Sequence, residues 1–194
     1  MKRKAYICTK IEKMDYNDFR QLRLYTRYDG FYTSILLIGS FASFLALSLV
    51  STGSLAWMAF ASLCPLLVLL APVFIYYRLC KFRDDGLNGS ISTKRAVLYL
   101  LRTTVNAALF FSLLQYLYLS LVDNGLLASI VERIIMSDRD QTELIVRSLG
   151  MTMDEYIRQL HNIPAFAMAC NSFVTLAIGG IVMSFLMAPL ARKR

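Results

Sequence analysis

Asp84 and Asp85 stand side by side next to Lys81, Arg83 and Gly86, and an adjacent carboxylate pair is oxygen-rich ground for a hard divalent cation. At a membrane interface such a pair can hold Mg2+ on a lipid diphosphate, the chemistry of a lipid-linked enzyme; the plainer expectation is an Asp-Asp-Gly turn. Little else is reactive. The chain has one histidine, His161, so no His-based metal site or H-E-x-x-H helix can be assembled, and His161 beside Asn162 reads as a helix cap. A G-x-S-x-G elbow, a phosphate-binding Gly-rich loop and a dinucleotide fingerprint are missing. Cys8, Cys64, Cys80 and Cys170 are scattered without a C-x-x-C pair, so neither a disulfide nor a metal site is expected. Catalytic residues and cofactors are expected to be absent.

Arg102 is the sharpest single residue. With Arg95, Tyr99 and Asn106 it recurs at helical spacing along one stripe of a strongly apolar segment. It lies about 9 Å along the helix from Ala96. A cation at that depth either binds a phosphate or carboxylate headgroup from a polar cavity or snorkels to the nearer phosphates, and snorkelling is the preferred expectation. Arg102, Asn106 and Tyr99 together form the candidate intramembrane polar site. Gln115, on nearly the opposite face from Asn106, reads as a separate interhelical anchor.

The elements that position these residues are four apolar runs, 31–50, 55–77, 96–122 and 165–190. Each is long enough to cross a hydrocarbon core of about 30 Å as a helix. The first two contain no charged residue. With 57% hydrophobic residues in 194, the composition argues against a soluble single domain, which stays the weaker alternative, and continuous runs exclude an outer-membrane barrel. The second run contains Pro65 and Pro72, each of which removes a backbone hydrogen bond and favours a bend. The fourth places Ser172, Gly180, Ser184 and Ala188 at multiples of four, and the first has Gly39 and Ser43, surfaces that let helices approach closely within a bundle or, alternatively, between two copies.

Lysine and arginine fix the expected orientation. Residues 1–30 hold eight, 78–95 hold five and 191–194 hold three, against none in 51–54 and four in 123–164, where seven Asp or Glu accompany them. Short loops that keep positive charge stay cytoplasmic, so both termini are expected inside and the first run is an anchor, not a cleaved signal. The net charge of +8 is then a topology signal, and no nucleic-acid partner is expected.

Within residues 1–30, Asp15 and Asp18 sit in capping positions for a short helix over 16–28. Arg20, Arg23 and Arg27 share one face of it, the pattern of a helix lying on an anionic membrane surface; with Arg78, Lys81 and Arg95 they are the candidate anionic-lipid contacts. The acidic connection 123–164 is expected to be helical. Asp140 with Glu143 and Thr152 with Glu155 are capping-box pairs, Gly150 is a terminator, and 125–136 has an apolar face able to extend the third span. Too short for a core of its own, the connection should rest on span ends, on the membrane or on a partner.

The fold class expected is all-α, an integral membrane four-helix bundle of residues 31–194 with an interfacial N-terminal helix and a short helical extracytoplasmic segment. The layout, with a basic inner loop ending Gly89-Ser90-Ile91-Ser92, an acidic segment closing on Pro164 and a last span carrying Gly179-Gly180-Ile181-Val182-Met183-Ser184, resembles the bacterial inner-membrane family classed as domain of unknown function 4199. The resemblance covers residues 31–194 and implies a four-span bacterial inner-membrane protein without an assigned activity. Three functions follow as expectations: a non-enzymatic protein binding membrane lipid, another membrane protein or a second copy in an envelope process; a small transporter or channel using the Arg102/Asn106 stripe; and the lipid-linked enzyme using Asp84 and Asp85.

Overall fold

Two serines set where two of the spans begin. Ser54 and Ser92 are both extended, and their hydroxyls accept from the backbone N–H of Trp57 (3.1 Å) and Arg95 (3.4 Å), satisfying amides that a helix start leaves open. In the computed structural model, which describes residues 16–87, 89–137, 142–143, 146, 148 and 150–191, side chains from residue 19 on, these caps open α2 (Leu55–Gly86) and α3 (Thr93–Leu121). They are preceded by α1 (Tyr16–Ala46), which tightens into a 3-10 turn at Leu47–Leu49, and followed by α4 (Leu126–Ser137), α5 (Met153–His161) and α6 (Ala165–Ala191). Four of these are long and apolar enough to cross a membrane: Phe19–Leu49, Leu55–Gly86, Thr93–Leu121 and Ala165–Ala191. The chain is an all-α, multi-pass membrane protein.

The short surface helix expected over 16–28 is instead the first part of α1, which runs unbroken through Asp29 and Gly30 into the span. Asp29 is shielded by partners on other helices. Gly30 has no side chain because α3 passes against it: a Cβ there would lie 2.6 Å from Cβ of Asn106 and 3.0 Å from the Thr103 carbonyl oxygen. Farther along α1, Thr33, Ser34 and Ser43 bond back to the carbonyls of Asp29, Phe31 and Gly39, so these hydroxyls need no water inside the bundle. The Asp15/Asp18 cap lies outside the described side chains. α2 continues through Pro65 and Pro72.

α1 and α3 form the centre of the bundle. α3 packs along α1 on one side and α6 on another, while α2 packs along α1. The α3–α6 contact depends on Gly180, where a Cβ would collide with Cγ2 of Thr104 and come within 2.7 Å of its Cβ. Ser184 and Ala188 continue this buried line one and two turns on. α2 and α6, by contrast, meet at one end, where the Tyr76 hydroxyl donates to the Leu190 carbonyl (3.3 Å) and the Arg83 guanidinium to that of Ala191 (2.8 Å). This end, with Arg78, Lys81, Arg83, Lys94 and Arg95, is the basic end of the molecule; α4 and α5 lie at the other.

At that distal end, α4 is separate from α3 and does not extend it. The chain turns through Gly125 at φ +85°, and the Asp123 carboxylate accepts from the Leu127 amide (3.0 Å) to start the new helix. α5 begins with both hydrogen bonds of the Thr152–Glu155 capping box, after Gly150 at φ +73°. Ile135, Val146 and Met153 make a small buried cluster with Val131, Ile157 and Leu160, so the connection covers part of its own apolar surface. It is tied to the spans by Arg133, whose guanidinium donates to the carbonyls of Leu47 and Val50 (both 3.4 Å), and internally by His161 against Glu132 (3.0 Å). Asp140, of the other capping pair, lies outside the described residues.

Candidate functional site

The basic end concentrates the polar side chains of three helices. Asp29 on α1 is 1% exposed, and a bare carboxylate there would be prohibitively costly. Arg78 on α2 converges on one of its oxygens, Oδ1, with Nε at 2.6 Å and Nη2 at 2.5 Å, a charge-assisted contact. The other carboxylate oxygen accepts a hydrogen bond from the Tyr99 hydroxyl on α3. Tyr99, fully buried, is held by Phe82, stacked at 5.0 Å between centroids, and Phe82 in turn packs on Tyr25 at 5.0 Å. Leu22, Leu79 and Ile91 close the surrounding core. One carboxylate thus links the three helices.

The predicted stripe on α3 divides into two kinds of contact. Tyr99 and Asn106 face α1, the latter donating its amide to the Thr26 carbonyl at 3.2 Å. Arg102 is half-buried and places its guanidinium 4.9 Å from the centre of the Phe19 ring. Arg23 on α1 lies over the same ring at 5.5 Å, so the structure brings one of the expected lipid contacts and the cation of the intramembrane polar site onto one aromatic side chain. Arg20, Arg27 and Lys81 are exposed and Arg95 is half-buried at the start of α3. Arg78 departs from its expected place: its guanidinium is turned inward onto Asp29, because a buried carboxylate outcompetes the lipid surface for it. Gly39 and Ser172 are half-buried and Ser43 is buried.

Asp84 does not sit with Asp85 as a joint ligand pair. Both of its carboxylate oxygens are taken by Arg83, at 2.8 and 2.9 Å, and Asp85 is exposed. Among the described residues, no group of three His, Cys, Asp or Glu is placed to hold a metal ion. Gln115 is buried on α3, and its Oε1 has no hydrogen-bond partner among the described residues.

A family model described as "Protein of unknown function (DUF4199)" matches residues 28–193. The chain belongs to the DUF4199 family. No curated protein and no solved structure matches it. The DUF4199 match begins one residue before Asp29, so it takes in the whole Asp29–Arg78–Tyr99 link and Arg102, while Phe19 and Arg23 precede it.

Asp29 escaped the reading of the sequence, which treated residues 1–30 as a basic cytoplasmic segment. A signal for it exists in hairpin arithmetic. Asp29 lies 22 residues before Ser51 and Arg78 lies 24 after Ser54, so two antiparallel helices joined by this short turn bring the two charges to nearly the same depth.

Proposed function

We propose that this DUF4199 protein is a non-enzymatic protein of the bacterial inner membrane, with both termini cytoplasmic, that binds anionic lipid at its basic end as an accessory to a cell-envelope process. The observation that carries the reading is the pair of guanidiniums, Arg23 and Arg102, on the one ring of Phe19. Among the described residues, no carboxylate pairs with either. Two like charges on one ring repel, and a phosphate between them replaces that repulsion with charge-assisted hydrogen bonds, the recognition for which guanidinium is suited. Exposed Arg20 and Arg27 on the same helix add to the field that draws an anionic headgroup in. The distribution of Lys and Arg supports a cytoplasmic basic end.

A transporter built on the Arg102/Asn106 stripe has less support, because Asn106 and Tyr99 spend their polar atoms on α1 and the core between them is packed. The enzyme reading has less again, since Asp84 is engaged by Arg83. Purification from native membranes in a mild detergent, followed by lipid analysis, tests the proposal. Retained lipid enriched in anionic headgroups relative to the bulk membrane supports it; retained lipid of bulk composition, or none, overturns it.

A further inference from the structure

Because α2 and α6 join at the basic end and diverge beyond it, an apolar groove opens between them, floored by α1 and α3. Its volume is about 280 Å3, with Leu37, Ala71 and Ala107 at the bottom and Val68 and Gly179 among the residues of its walls. A second hollow of about 320 Å3 adjoins it through Leu37, Val68, Thr175 and Leu176. We infer that this groove is a binding site for one acyl chain of a membrane lipid of the basic-end leaflet.

Three features commit the groove to hydrocarbon. Four of its hydroxyls are already satisfied: Thr33, Ser40, Thr104 and Ser184 each donate to a backbone carbonyl, at 2.7, 2.8, 2.9 and 2.6 Å, which leaves Thr175, Ser172 and Asn171 on the α6 wall as the open polar groups of a lining otherwise dominated by Leu, Val, Ala and Met. Its length fits one leaflet. From Thr33 to Phe44, the α1 residues that line the two hollows, is about 16 Å at 1.5 Å per residue, close to half of a hydrocarbon core of about 30 Å. Its near end stops towards the basic end, where exposed Lys81 and Lys94 provide charge of the sign that holds an anionic headgroup at that surface.

Gly179 gives the chain room. A Cβ built there meets nothing within 4 Å, whereas its neighbour Gly180 is locked against Thr104. The groove is distinct from the Phe19 site, since Arg102 is two residues from both Leu100 and Thr104 and so, about 200° around the helix, faces away from the groove those residues line.

The test uses the full chain in phosphatidylethanolamine and phosphatidylglycerol vesicles containing a trace of phosphatidylcholine with a diazirine in its acyl chain, with labelled residues mapped by mass spectrometry after irradiation. On the floor, Leu37 keeps 6% of its surface exposed and Thr104 is half-buried, so both can meet a chain lodged in the groove while lying below its outward-facing rim. The expected result is label on these floor residues, reduced several-fold by Gly179→Phe or, from the opposite wall, by Val68→Trp, with label at outward-facing Phe185 unchanged. Arg23→Gln with Arg102→Gln leaves the floor label intact, which separates this inference from the headgroup reading. Label confined to outward-facing residues, floor label indifferent to both filling substitutions, or crosslinks from Gly179→Cys to a second copy would overturn it.

Discussion

Asp29 and Arg78 meet within 2.6 Å across the first hairpin, and the same carboxylate accepts from Tyr99 on the third span. The three-helix link is therefore a single buried charge with two partners, and its energetics are asymmetric. Removing one ion leaves the other unpaired, whereas removing both leaves only packing to repair.

Asp29→Ala or Arg78→Ala should each destabilise the protein by about 3 kcal/mol, the scale for breaking a buried ion pair from one side. The double variant Asp29→Leu with Arg78→Met should recover most of that loss. Tyr99→Phe should cost less, about 1 kcal/mol, as one hydrogen bond is lost and its ring contacts remain. Unfolding in mixed micelles, arranged as a double-mutant cycle, measures all of these; equal and additive losses would contradict the link.

Gly179 and Gly180 should behave oppositely although they are adjacent. Gly180→Ala forces Thr104 away and should cost about 1–3 kcal/mol, the range for overpacking, while Gly179→Ala should be close to neutral. Thr104→Ala should restore part of the Gly180→Ala loss. Thermal unfolding in detergent distinguishes the two glycines.

The four spans were legible because length and apolarity alone decide them, and the α5 start because Thr152 and Glu155 form a cap from local chemistry. What was not legible depended on tertiary partners. Asp29 and Gly30 look like a helix break until α3 supplies Tyr99 and a close backbone, and Arg78 looks like a lipid contact until Asp29 is seen opposite it. The groove is less visible still, since no sequence pattern states that α2 and α6 join at only one end. Arg102 and Arg23 were both named from sequence, but nothing in their spacing brought both onto Phe19.

The capping box at α5 makes a pH prediction. A hydrogen bond from the Thr152 backbone amide, with a smaller contribution from the Thr152 side chain, holds the Glu155 carboxyl below its ordinary value. A depressed carboxyl stabilises the helix start fully above its unfolded pKa, and this contribution falls away as pH drops through the folded one. Hydrogen-exchange protection of the first turn of α5 should therefore decline in acid, and Glu155→Gln should flatten that dependence. Protection that rises on acidification would contradict the assignment.

Orientation is open to cysteine labelling. In a background with the native cysteines replaced, Asp85→Cys should react only with reagents admitted to the cytoplasmic side, and Asp154→Cys with impermeant reagents from outside. The reverse pattern would invert the proposed topology.

The central claim, anionic-lipid binding at the Phe19 ring, is most directly tested by titrating phosphatidylglycerol into the detergent-solubilised protein and comparing wild type with Arg23→Gln/Arg102→Gln. The account predicts affinity about tenfold weaker or more in the variant, since each charge-assisted hydrogen bond contributes about 1.5–3 kcal/mol, with phosphatidylcholine binding unaltered and the melting temperature nearly unchanged. Equal phosphatidylglycerol affinity in the two proteins would contradict it.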